Sequence, residues 1–230
     1  MGTGIGRSEP PEARADGAVE GWSGLGPGGP SKLQEFAVHG KNSFIGGWFL
    51  EDLTVCDGML EFFETCDAFE RSPGIVGSMY GPRLDKKSKD SLDLHVDITM
   101  KDARLRRYVD ALWGVIEMYK QKYRYAFTSA PWAIEPGLSI QQYPPGGGFF
   151  TWHTERTGGM QHCVYRHLAF MTYLNDVEEG GETEFFYQEV KVKPRKGLTL
   201  FWPTDWTHTH RGVPAPREQK TIITGWLKFL

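Results

Sequence analysis

From Leu138 to Leu230 the sequence breaks into short apolar runs separated by turn-forming residues, and this texture limits the fold more than any other feature. The runs are "LSIQQY", "FFTWHTE", "HLAFMTYLN", "TEFFYQEVKVKP", "GLTLFW" and "KTIITGWLKFL". Runs of this length bounded by Gly, Pro and Asn clusters read as strands. So many in succession predict a closed or two-sheet antiparallel structure of the barrel or jelly-roll type. The preceding region has a different period. In "FLEDLTVCDGMLEFFETCDAF", Leu53, Leu60 and Phe63 fall at helical spacing with Asp52 as an N-cap. From Lys101 to about Arg124, Leu105, Tyr108, Leu112, Trp113, Ile116 and Tyr119 recur every three to four residues, which predicts a second, longer amphipathic helix. "GSMYGPRLDKKSKDSLDL" between them reads as a loop. The expected fold is mainly β with supporting helices: helical support over about 50–124 and a jelly-roll core over about 138–230.

Residues 1–31 are rich in Gly, Pro, Ala and Glu and nearly devoid of large apolar side chains, so they read as a disordered leader to a single domain over 32–230. A net charge of −3 gives no overall attraction to nucleic acid or to an anionic membrane, and no nucleic-acid partner is expected. The three cysteines Cys56, Cys66 and Cys163 form no C-x-x-C pair, which argues against a zinc ribbon or a disulfide framework. No run approaches the roughly 18 apolar residues of a membrane helix, and no signal peptide is evident. The expectation is a soluble, cytoplasmic protein with no membrane partner.

The chemistry centres on "TWHTER", Thr151 to Arg156. Residues two apart on a strand share a face, so His153 and Glu155 would project together, with Phe149 and Thr151 on the same side. "WTHTHRG" offers His208 and His210 as a third ligand, and alternation does not choose between them. Two histidines and one carboxylate make the facial triad of non-haem Fe(II) oxygenases, which leaves coordination positions open for other ligands. A structural zinc site would instead close its coordination with four protein ligands. His39 and His95 read as surface or loop residues, and His162 and His167 as polar residues at a strand entry. Arg166 reads equally as a substrate or co-substrate contact or as a surface ion pair, and Trp202, Trp206 and Trp226 as core or rim.

The region from about Leu138 to Leu227 resembles the 2-oxoglutarate- and Fe(II)-dependent dioxygenases, in particular the prolyl 4-hydroxylase-like branch. "YPPGGGFFTWHTE", "RHLAFMTYLNDVEEGGETEFF", "VKPRKGLTLFWP" and "HRGVPAPREQKTIITGW" carry the resemblance, in the family's order and at about its spacing. It implies a double-stranded β-helix core. It also implies that His153 is the proximal metal ligand and that His210, about ten positions before Lys220, is the distal one. Lys220 then matches the residue that pairs with the far carboxylate of 2-oxoglutarate, and Tyr143 and Thr183 match positions that hydrogen-bond this co-substrate. Glu155 departs from the pattern, which usually has Asp. Glutamate is one methylene longer, which changes its reach and eases a bidentate ligation that would block an open position.

The resemblance implies Fe(II), 2-oxoglutarate and O2 as reactants, with ascorbate as a further cofactor, and hydroxylation of a C–H bond with release of succinate and CO2. The substrate expected is a peptidyl group, prolyl being the nearest analogy, or a small molecule. Loops 77–94 and 154–166 are the expected selectors at the barrel mouth. The alternatives are a catalytically inactive jelly-roll binding module and a cupin-type dioxygenase that needs no keto acid.

Overall fold

A computed structural model describes residues 33–38, 43–77, 81–158 and 163–230. The expected leader at 1–31, His39 and His162 lie outside the described residues. In chain order the strands of the first half are β1 (Glu35–Phe36), β2 (Gly46–Phe49), β3 (Arg71–Pro73), β4 (Ile75–Val76), β5 (Arg83–Leu84), β6 (Lys89–Asp90) and β7 (Leu92–Asp97). Helix α1 (Thr54–Thr65) lies between β2 and β3, and α2 (Ala103–Lys122) follows β7. The second half contributes β8 (Trp132–Ile134), β9 (Gly137–Tyr143), β10 (Gly148–Phe149), β11 (Arg166–Tyr173), β12 (Thr183–Phe185), β13 (Val190–Val192), β14 (Leu198–Pro203), β15 (His210–Gly212) and β16 (Lys220–Phe229).

The large sheet runs β1-β2-β14-β11-β16-β9-β7-β3, with β8 also on β16. Opposed to it are the small sheets β13-β12-β15 and β10-β6. The architecture is mainly β, a jelly-roll core backed by two helices. The large sheet does not begin at residue 138, because β2 and β7 are integral to it.

Period-two alternation explains how one sheet serves two purposes. On β11, Leu168 and Phe170 face the helices, while Ala169, Met171 and Tyr173 face the interior between the sheets. The helices supply Met59, Phe62, Leu105, Tyr108, Leu112 and Ile116 to the first of these layers. The buried stripe of α1 is Val55, Cys56, Met59, Phe62 and Phe63, so Leu53 lies outside it and is exposed. The N-cap position falls on Leu53 rather than Asp52, which instead holds the turn before it, its Oδ1 accepting the Thr54 backbone N–H at 2.9 Å. Asp102 caps α2 by accepting the Arg104 and Leu105 N–H groups. Deep between α2 and the sheet, the Tyr108 and Thr172 hydroxyls pair at 3.0 Å and Thr172 pairs with Thr199 at 2.8 Å, which satisfies polar groups that burial would otherwise penalise.

Three local expectations are corrected. "FFTWHTE" is not a continuous strand: after β10 the backbone pairs only at His153, as a bridge to His210, and then turns aside so that Arg156 N–H reaches Thr204 O at 3.0 Å. "TEFFYQEVKVKP" is a hairpin of β12 and β13, its turn closed by Glu189 at φ 54, a left-handed conformation without the glycine that usually signals it. The loop read into 77–94 contains β5, β6 and the start of β7, and His95 is an exposed residue of β7 within the large sheet.

Candidate metal and co-substrate site

The interior face of the large sheet opens into a cavity of about 600 Å3. One face of β16 supplies Lys220, Ile222, Thr224 and Trp226 to its lining, and one face of β9 supplies Ser139, Gln141 and Tyr143. Because side chains alternate, Ile223 and Leu227 on the opposite face of β16 pack in the layer shared with the helices. Both expected selector loops reach the cavity, through Arg83 and Ser88 from one and Thr157 and Cys163 from the other.

His153, Glu155 and His210 converge at this cavity, with one potential ligand atom from each lying within 4.8 Å of the others. Two reciprocal backbone bonds join His153 and His210: N–H of His153 to O of His210 at 3.0 Å, and the reverse at 2.9 Å. Phe149 stacks on the His153 ring at 3.8 Å between centroids, so the shared side expected for these residues holds although the strand does not. The His210 ring is enclosed by Trp202 and Phe185. His208 is not part of the cluster; its Nε2 lies 2.8 Å from the backbone oxygen of Ser43.

The hydrogen-bond pattern fixes which nitrogens face inward. Nδ1 of His153 lies 2.9 Å from Thr151 O, and Nδ1 of His210 lies 2.9 Å from His208 O. A carbonyl can only accept, so each ring carries its hydrogen on Nδ1 and presents the Nε2 lone pair to Glu155. Nε2 of His210 stands 3.3 Å from Glu155 Oε1, and Nε2 of His153 stands 3.8 Å from the same oxygen. Lone-pair atoms facing one another in a buried site require a proton or a metal ion between them. Burial, aided by the neighbouring His210, lowers the His153 imidazole to about 4, so it is neutral and able to ligate. Burial would push the Glu155 carboxyl up, but the His210 ring that faces it, with His153 and the Arg166 guanidinium, holds it down at about 2. The donor set, one carboxylate oxygen and two imidazole nitrogens, suits Fe(II).

Lys220 lies 3% exposed at the start of β16. Its Nζ donates to Gly181 O at 3.0 Å and sits 4.9 Å from the centre of the Tyr143 ring. Among the described residues no carboxylate lies within ion-pair distance of it. Burial lowers its pKa to about 8. A buried cation with no carboxylate within ion-pair distance among the described residues, lining the same cavity as the two imidazoles and the Glu155 carboxylate, fits a carboxylate ligand such as 2-oxoglutarate. Tyr143 and Thr183 line that cavity too. The Tyr143 hydroxyl donates to Gln141 Oε1 at 2.6 Å, and Thr183 Oγ1 accepts from the Tyr173 hydroxyl at 2.6 Å.

Residues 138–228 match the family model described as the 2OG-Fe(II) oxygenase superfamily. This segment belongs to that superfamily. Its members use Fe(II) and 2-oxoglutarate, and the His-Glu-His donor set suits the metal. Probable prolyl 4-hydroxylase 3 of Arabidopsis thaliana is 31% identical over 187 residues, covering 67% of this chain and 61% of that protein. Probable prolyl 4-hydroxylase 9 of the same plant is 33% identical over 85 residues, covering 27% of this chain and 30% of that protein. The chain thus spans less than two thirds of these curated relatives. The fold matches the viral collagen prolyl hydroxylase of Paramecium Bursaria Chlorella virus-1, solved as a 2OG complex, with a TM-score of 0.58 at 16% identity, covering 82% of this chain and 98% of that one.

Sequence reasoning singled out His153, Glu155, His210 and Lys220, which the structure brings to one cavity, but it read Arg166 only as a substrate or co-substrate contact or a surface ion pair and Trp226 only as core or rim. Arg166 is no surface pair: its side chain is 11% exposed and lies between Glu135, Glu155 and Trp226. Trp226 donates Nε1–H to Glu155 Oε2 at 3.0 Å. The weak signal available was its position on the same face of β16 as Lys220.

Proposed function

We propose that this chain is a 2-oxoglutarate- and Fe(II)-dependent hydroxylase, with His153, Glu155 and His210 as the metal ligands and Lys220 as the anchor for the far carboxylate of the keto acid. The observation that carries the reading is a buried ammonium with no carboxylate within ion-pair distance among the described residues, lining the same cavity as a cluster of two imidazoles and one carboxylate. Bound Fe(II), with 2-oxoglutarate and O2, supplies the oxidising chemistry: the keto acid is decarboxylated to succinate and CO2, and a substrate C–H bond is hydroxylated.

The protein supplies position and charge. Lys220 pairs with a carboxylate in a site where water does not compete for it. Burial pushes the Tyr143 phenol well above its ordinary value, so it stays protonated and can turn its hydrogen from Gln141 to the co-substrate. The Thr183 hydrogen faces the Met171 sulfur at 3.9 Å, a weak acceptor that a carboxylate oxygen outcompetes. His153 and His210, locked by their mutual backbone bonds, keep their geometry whether or not the metal is bound. A peptidyl group is the substrate proposed, with prolyl residues first among candidates because the similar plant proteins are described as prolyl 4-hydroxylases. A cytoplasmic setting is proposed with it, and no helix among the described residues is long and apolar enough to cross a membrane.

The test is anaerobic titration of Fe(II)-loaded protein with 2-oxoglutarate while the visible charge-transfer absorption is followed. A band present in wild type, absent in Glu155→Ala and much weakened in Lys220→Ala, is the expected result. Folded protein that shows no band would leave a jelly-roll binding module as the better description.

A further inference from the structure

Glu155 is a longer ligand than the family's usual aspartate, and its two oxygens have different surroundings. Oε1 faces the Nε2 atoms of His153 and His210. Oε2 points away from them, accepts the Trp226 Nε1–H at 3.0 Å and lies 3.8 Å from Nη1 of Arg166. The guanidinium behind it is itself fixed. Its Cζ lies 3.4 Å from the centre of the Trp226 ring, its Nε donates to Glu135 Oε2 at 3.2 Å, and its Nη1 donates to the backbone oxygen of Glu155 at 3.3 Å. A carboxylate oxygen held by a directed N–H and a neighbouring cation in a mostly buried site does not leave that arrangement cheaply.

We propose that Trp226 and Arg166 are positioning residues that hold Glu155 as a one-oxygen ligand, and that this clamp is what allows glutamate to serve where aspartate is usual. The inference rests on the metal-site reading above. With Oε2 engaged, Glu155 occupies a single coordination position and leaves room for a chelating keto acid, which needs two adjacent ones. The extra methylene spans the distance from the backbone at 155 to a point where one oxygen meets the histidines and the other meets Trp226. Aspartate, shorter by one methylene on the same backbone, cannot satisfy both ends. The strand that carries Lys220 also carries Trp226 on the same face, so one element sets both the keto-acid anchor and the ligand clamp.

The test is titration of the anaerobic protein with Co(II), then of the Co(II)-loaded protein with 2-oxoglutarate. Metal-induced infrared difference spectra report the carboxylate stretches in parallel, for wild type, Trp226→Phe, Glu155→Asp and the double variant. In Trp226→Phe, Co(II) still binds. Its affinity for 2-oxoglutarate falls about tenfold, the usual scale for losing an outer-shell partner, and the separation of the carboxylate stretches narrows as ligation becomes bidentate. In Glu155→Asp, the affinity for Co(II) falls about tenfold, and adding Trp226→Phe to it causes no further loss. Unchanged 2-oxoglutarate affinity and an unchanged infrared signature in folded Trp226→Phe would overturn the clamp. So would Glu155→Asp binding Co(II) as tightly as wild type, an outcome that decides the matter even if Trp226→Phe does not fold. Wild type that takes up no Co(II) overturns the metal-site reading itself, whereas wild type that binds both ligands beside unaffected variants removes the clamp alone.

Discussion

Lys220 and Tyr143 are direct cross-strand partners on β16 and β9, and the ammonium rests 4.9 Å from the centre of the phenol ring while it donates to a backbone carbonyl. Neither group neutralises the charge. The energetic and functional properties of the site therefore meet in one side chain.

The first consequence is for stability. Lowering of Lys220 from its ordinary 10.5 to about 8 corresponds to a cost of about 3 kcal/mol for holding the charged form buried at neutral pH. Lys220→Met is expected to unfold at higher denaturant concentration than wild type at pH 7 while losing 2-oxoglutarate binding. The folded protein binds fewer protons at this lysine than the unfolded chain between about 8 and 10.5. Stability from this group therefore rises with pH across that window, and the advantage of the variant shrinks there. Denaturation of both proteins across the window measures it.

The second concerns the co-substrate. Only the protonated lysine attracts a carboxylate, so the affinity for 2-oxoglutarate should weaken as pH rises through about 8. The midpoint of that decline, from titrations of the metal-loaded protein, should disappear in Lys220→Arg, whose guanidinium stays charged.

His208 and His210 provide a contrast. His210→Ala is expected to abolish metal uptake, whereas His208→Ala, which loses a bond to Ser43 O, should keep it and cost about 1 kcal/mol of stability. Metal titration with thermal denaturation separates the two effects.

On the cavity wall, Lys89 Nζ and Asp93 Oδ2 pair at 2.5 Å with side chains 4% and 1% exposed, and Ser91 donates to the other carboxylate oxygen. Asp93→Asn leaves the ammonium buried without its charge partner and should cost about 3–5 kcal/mol. Replacing both members by apolar residues should cost much less, and a chemical-denaturation cycle tests this.

The β core was legible because its strands alternate on a period that any reader of the sequence can follow, and β9, β11, β14 and β16 appear where the runs lie. The run through "FFTWHTE" misled because backbone pairing there depends on a distant three-residue partner, β15. The β12 and β13 hairpin was hidden by Glu189, whose left-handed backbone carries no glycine signal. The contacts of Trp226 and Arg166 with Glu155 were missed for a different reason. Trp226 and Glu155 are 71 positions apart, and a contact of that separation leaves no local pattern.

The ten residues of β16 are hydrogen-bonded along their length to β11, β9 and β8. A slip of this strand by one residue would replace Lys220, Ile222, Thr224 and Trp226 in the cavity by Thr221, Ile223, Gly225 and Leu227. The anchor and the clamp would vanish together, although no residue had been changed. β16 thus works as a ruler whose zero is set three times over, and the accuracy of the chemical site is inherited from the pairing of the sheet. Mutations far from the cavity that loosen this alignment should damage catalysis before they unfold the protein.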